Sequence, residues 1–196
     1  MIGALSKAGY DQQSSFAFSA LNIIYPSRDK PDYGLSTLTL GDCYTAAFKP
    51  EKLGDDVENM PSVYSFSPKK LRFDFDTLTA GSIVIVGSDG GWEYLARYLN
   101  QYLLKQYEQT KIEGNLDLAY EVLTYSRSLG ISDKEQEEQA IYKILSILSV
   151  SIPLRNLQDI QKLTLEMNQS EMRPFDDVTL LLGYLPTQPA SSEKAE

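Results

Sequence analysis

Short apolar runs separated by polar loops occupy the first half of the chain. Phe16 to Tyr25, FAFSALNIIY, alternates loosely and predicts a strand or a helix end, closed by Pro26 and the charged loop SRDKPDYG. Leu35 to Leu40, LSTLTL, and Cys43 to Phe48 carry strand character on either side of Gly41-Asp42. This pair predicts one bulged strand or a hairpin with a tight Gly-Asp turn. EKLGDDVENMPS is a polar loop, and Leu71 to Phe75, LRFDF, alternates as a half-buried strand does. Thr79-Ala80-Gly81 then turns the chain into Ser82 to Val86, whose low polarity predicts a central strand.

After that run the period changes. Trp92, Leu95, Ala96, Leu99, Tyr102 and Leu103 recur at helical spacing, and Leu116 to Leu129 predicts a second helix. Ser132 with Glu135 forms a capping box that opens a third helix, EEQAIYKILSILSVSI, ended by Pro153. Leu157 to Met167 predicts a fourth. Pro174 breaks the pattern, and Val178 to Leu182, VTLLL, is a last strand. Strands, a helical block and a late strand argue for an α+β protein with an antiparallel sheet packed by helices. One domain over residues 1–185 is expected, with its helical block at about 92–172 and a polar, disordered tail over 186–196.

Composition narrows the chemistry. At 196 residues, 42% hydrophobic and 23% charged, the chain has the make-up of an ordinary globular protein. It has no apolar stretch near the roughly 18 residues a membrane span needs, and its N-terminus lacks the pattern of a secretory signal. The single cysteine, Cys43, excludes an internal disulfide and points to a reducing, cytoplasmic setting. A net charge of −9 argues against nucleic acid as a partner. The absence of histidine excludes Ser-His-Asp and Cys-His catalysis and His-based zinc sites within this chain. Any metal here takes oxygen ligands, which suits magnesium, manganese or calcium.

Two carboxylate sites share a design. Asp89 follows the central strand in GSIVIVGSDGGWEYL, and Asp176-Asp177 precede the last strand. If the two strands are antiparallel neighbours, the end of one lies beside the start of the other and the carboxylates converge at one sheet edge. A rigid edge of that kind suits a hard divalent cation. The plainer reading makes Asp-Gly ordinary turn chemistry and Asp176-Asp177 ordinary loop polarity.

The same segments resemble the metal-dependent protein serine/threonine phosphatases of type 2C. GSIVIVGSDGGWEYL is similar to that family's strand–Ser-Asp-Gly–x-Trp-Asp signature. RPFDDVTLLLGYL resembles its Asp-Asn-x-Thr with a terminal apolar strand, and LSTLTLGDCYTAAF its strand–Gly-Asp-Ser-Arg–strand hairpin. The motifs stand in the family's order, from about Phe16 to Leu185. The resemblance implies an αββα arrangement of four layers, an antiparallel β-sandwich flanked by helices, with a two-metal Mg2+ or Mn2+ site at one end. Asp89 and Asp176 match metal ligands. Asp177 stands where the family usually has Asn, so it is the alternative to Asp176. Ser88, Gly90 and Trp92 match structural positions, as does Asp42, whereas Cys43 replaces the usual Ser and Tyr44 the usual Arg.

The family's opening strands have no counterpart. Its Arg, its Glu-Asp pair and its Asp-Gly-x-Gly segment, whose aspartate bridges both metals, are absent. Two metals activate a bridging water in such sites, so half a site implies that the chain alone hydrolyses phosphoesters poorly or not at all. Three functions follow from the resemblance. One is the C-terminal part of a phosphatase, completed by another segment or chain and acting on a phosphoprotein. Another is a pseudophosphatase serving as a binding module. The third is a related phosphodiesterase acting on a protein-linked nucleotide. Neither nucleic acid nor a membrane is expected as partner. Tyr94, Tyr102, Tyr107, Tyr120, Tyr125 and Tyr142 read as helix packing rather than as docking anchors, and SDKEQEEQ as a solvated face.

Overall fold

The computed structural model describes residues 18–24, 32–40, 43–50, 62–64, 72–129, 133–172 and 178–186. In chain order these form β1 (Phe18–Ile24), β2 (Tyr33–Leu40), β3 (Cys43–Phe48), β4 (Ser62–Tyr64), β5 (Arg72–Leu78) and β6 (Ile83–Ser88). Helices α1 (Asp89–Thr110), α2 (Glu113–Ser126), α3 (Lys134–Ser151) and α4 (Leu157–Asn168) follow, and β7 (Leu180–Tyr184) closes the series. The strands make two antiparallel sheets, one in the order β1-β2-β5 and one in the order β4-β3-β6-β7. The protein is α+β, as its element order predicts.

Strand alternation shows how the layers stack. In β3, Tyr44, Ala46 and Phe48 join Ile83 and Ile85 of β6 in a core shared with all four helices. The intervening Ala47, Val84 and Val86 join Tyr33, Leu35 and Leu78 in a second core between the sheets. The four-stranded sheet is therefore covered by helices on one face and by the other sheet on the opposite face. This explains why Ile83 to Val86 is an unbroken apolar run, since both of its faces are buried. Tyr33 strengthens the join between sheets by donating its hydroxyl to the Pro186 carbonyl at 2.7 Å.

The expected relation of β2 to β3 is corrected. They do not pair as a hairpin: β2 lies between β1 and β5, while β3 lies between β4 and β6. With only Gly41 and Asp42 between them, the chain passes from one sheet to the other. β1 is a strand rather than a helix end, and β5 extends to Leu78.

The helices follow their apolar spacing. Trp92, Leu95, Ala96, Leu99 and Leu103 form the buried stripe of α1. That helix ends at Lys111, which adopts a left-handed φ of 57° and donates its amide to the Tyr107 carbonyl. The start of α3 is one residue later than the capping box predicts: Asp133 is the N-cap and its side chain accepts from the Glu135 amide at 3.1 Å. β7 likewise begins at Leu180 rather than Val178. Among the described residues no helix is long and apolar enough to cross a membrane.

Candidate functional site

The corner singled out by the sequence lies where β6 ends, α1 begins and the chain enters β7. β6 and β7 are antiparallel neighbours, with Gly87 opposite Leu180. Beyond that pair, the Ser88 amide donates to the Thr179 carbonyl at 3.0 Å. The Ser88 hydroxyl accepts twice, from the Gly91 amide at 3.1 Å and from the Thr179 amide at 3.2 Å. One side chain thus caps α1 and fastens it to the approach to β7.

Asp89 occupies the first turn of α1, half-buried, where a carboxylate is favoured by the helix dipole. Its Oδ1 accepts from the Gly90 amide at 2.7 Å. The first-turn amides of Gly90 and Gly91 are therefore met by side chains of Asp89 and Ser88. The glycines allow the corner to close tightly. A methyl group at Gly91 would overlap the Thr179 carbonyl, and one at Gly87 would meet Leu180 Cδ1 at 2.9 Å.

Trp92 anchors the same turn from below. It is fully buried, and its Nε1 donates to the Tyr44 carbonyl at 3.3 Å. Tyr44, also buried, donates its hydroxyl to Glu137 Oε2 at 2.6 Å. Glu137 belongs to the run expected to be a solvated face, yet it is only 9% exposed. Its neighbours Asp133, Glu135, Gln136 and Gln139 are exposed, and Glu138 is half-buried. The line from Trp92 through Tyr44 to Glu137 ties the start of α1 to the first turn of α3 across β3, a link the sequence reading missed.

The site residues expected from sequence divide by position. Ser88, Asp89, Gly90 and Trp92 come together at the corner. Asp176, Asp177 and Asp42 lie outside the described residues, as does the tail from Thr187 onward. Among the described residues no three Asp, Glu or Cys side chains group as metal ligands. A divalent cation of the hard type takes about six oxygen ligands, so the described residues do not form a metal centre by themselves.

Most of the helical tyrosines pack. Tyr142 is buried, and Tyr94, Tyr102 and Tyr125 lie half-buried against the helical core. Tyr94 bonds the Met167 carbonyl at 2.9 Å and Ser170 Oγ at 2.8 Å. Tyr107 is half-buried beneath the Lys111 ammonium, 5.5 Å from its ring centre, and Tyr120 is 62% exposed.

No family model and no curated protein sequence matches the chain. Among solved structures it is similar to the phosphatase domain of the cell fate determinant SpoIIE from Bacillus subtilis. The identity is 13% and the TM-score 0.42, over 96% of this chain and 66% of that one. The manganese-presoaked structure of that domain matches at 14% identity and a TM-score of 0.37, over 94% of this chain and 62% of that one. The chain spans less than two thirds of the length of the domain it matches.

Proposed function

We propose that this chain is the C-terminal part of a magnesium- or manganese-dependent phosphatase domain of the type 2C kind, inactive until another segment completes its site. The observation that carries the reading is the double tie between Ser88 and Thr179. It brings the turn bearing Asp89 against a residue only two positions after Asp177 and three after Asp176. That short separation along the sequence is what supports taking Asp176 or Asp177 as a partner for Asp89 in this reading. In this reading Asp89 and Asp176, or Asp177 in its stead, face the metal. Ser88, Gly90 and Trp92 keep the corner rigid.

The experiment is a Mn2+ titration of the purified chain followed by thermal melting, with Asp89→Asn and Asp176→Asn alongside and aryl phosphate hydrolysis measured in parallel. Stabilisation by Mn2+ that both substitutions weaken, without turnover, is the expected result. Turnover by the chain alone that Asp89→Asn abolishes would refute the incomplete site. No response of the parent protein to Mn2+ would refute the metal reading.

A second reading, a phosphatase-like binding module, is supported by Tyr44. This residue stands where the resemblance has Arg, and its hydroxyl is committed to buried Glu137. Indifference to Mn2+ in the same titration favours that reading.

A further inference from the structure

Two tyrosines of α1 do more than pack. Tyr94 and Tyr98 lie about one turn apart on that helix, and both reach α4 through their hydroxyls. Tyr98 meets Glu166 Oε2 at 2.9 Å, within α4. Tyr94 meets the end of α4. Its hydroxyl lies 2.9 Å from the Met167 carbonyl and 2.8 Å from Ser170 Oγ, and Ser170 Oγ lies 2.7 Å from the same carbonyl. Each hydroxyl has a single proton to donate. Either Tyr94 donates to Ser170 and Ser170 to the carbonyl, or Ser170 donates to Tyr94 and Tyr94 to the carbonyl. In both arrangements the two hydroxyls hold each other, and one of the closing carbonyls of α4 gains a side-chain donor.

This network stands where the chain leaves α4 on its way to β7. Ser170 is held to Tyr94, and farther on Thr179 is held to Ser88. Ser88 and Tyr94 lie within two turns of α1, roughly 9 Å apart along its axis, and Asp89 falls between them. The stretch from Ser170 to Thr179, which carries Asp176 and Asp177, is therefore tied at both ends to one short length of α1.

We infer that Tyr94 is a positioning residue for the proposed cation site, its hydroxyl setting the direction in which the chain leaves α4 toward Asp176 and Asp177. The inference rests on the reading that one of those carboxylates joins Asp89 on a cation. A carboxylate on a stretch held at both ends gives up less freedom on binding than one held at a single end, so the anchor acts on affinity.

Calorimetric titration of the full chain with Mn2+, at a temperature where every variant is folded, tests the inference. Tyr94→Phe is expected to weaken binding by roughly two- to ten-fold, the factor carried by one net hydrogen bond. Ser170→Ala should weaken it as well, and the double variant by less than the product of the two, because the hydroxyls act as one unit. Tyr98→Phe removes another α1–α4 bond, one turn farther from the corner. It is expected to lower the melting temperature and leave the affinity unchanged. Equal affinities for the parent and Tyr94→Phe would overturn the inference and leave the cation reading standing. An equal loss in Tyr98→Phe would overturn it too, since a general loosening of α1 against α4 would then be the cause. A parent that binds no Mn2+ would overturn the cation reading and the inference together.

Discussion

Ser88 and Thr179, distant in sequence, are joined in both directions: the Ser88 amide donates to the Thr179 carbonyl at 3.0 Å, and the Thr179 amide donates to the Ser88 hydroxyl at 3.2 Å. That hydroxyl also caps α1 through the Gly91 amide. The corner thus depends on one oxygen for both local and long-range order.

Ser88→Ala removes the cap and the side-chain half of the tie together. Loss of an N-cap alone costs about 1 kcal/mol, with values up to about 2, and the unmatched Thr179 amide adds to it. Urea unfolding is expected to show a loss near the upper end of that range. Exchange at the Gly91 and Thr179 amides should quicken more than exchange in α3. A loss below a few tenths of a kcal/mol would show that water replaces the hydroxyl at no cost.

Two glycines should respond in opposite directions to the same substitution. At Gly91 an added methyl overlaps the Thr179 carbonyl, which is backbone and has little freedom to yield. Gly91→Ala is expected to destabilise by about 1–3 kcal/mol, the usual range for overpacking. Gly114, in the first turn of α2, has nothing within 4 Å of an added Cβ. Gly114→Ala should stabilise by up to about 1 kcal/mol by restricting the unfolded chain. Chemical denaturation of the pair checks both signs.

Burial and pairing make Glu137 sensitive to the loss of one hydroxyl. Tyr44→Phe removes a 2.6 Å donor from a carboxylate that is 9% exposed. The expected cost is about 1–3 kcal/mol, the range for leaving a buried polar group short of a partner. Glu137→Gln retains an acceptor and should cost less. In the double variant the two losses should be less than additive, because both act on one bond. Strict additivity in a double-mutant cycle would show that the bond contributes nothing.

The sequence revealed the parts of the fold governed by local spacing. The apolar run at Ser82 to Val86 marks a strand buried on both faces, and the 3.6-residue stripe through Trp92 and Leu103 marks α1. The neighbour relation of β6 and β7, on which the corner depends, entered the sequence argument only as a condition, and the structure meets it. Other features lie beyond local spacing. Alternation tells which residues share a face but not which strand pairs with which, so the passage from β2 to β3 between sheets read as one bulged strand or a hairpin. Ser132 and Asp133 are both good caps, and their order alone does not choose between them. Glu137 looked solvated because the partner that buries it, Tyr44, is 93 positions away.

Tyr98 supplies a test in pH. It is 8% exposed and donates to Glu166 Oε2 at 2.9 Å, linking α1 to α4. Burial first, then the bond and the negative charge of Glu166, hold its hydroxyl well above the ordinary tyrosine value of 10.0. The folded state therefore keeps a proton that the unfolded chain releases from about pH 10 upward. The contribution of Tyr98 is complete below that pH and is lost as pH rises toward the folded value. Tyr98→Phe should be less stable than the parent at neutral pH, with the gap narrowing as the solution becomes strongly alkaline. Because the chain holds 13 tyrosines, only the difference between parent and variant isolates this one. Urea midpoints for both proteins on either side of pH 10 provide it, and a gap that stays constant would show that Tyr98 ionises as readily in the folded protein as in the unfolded chain.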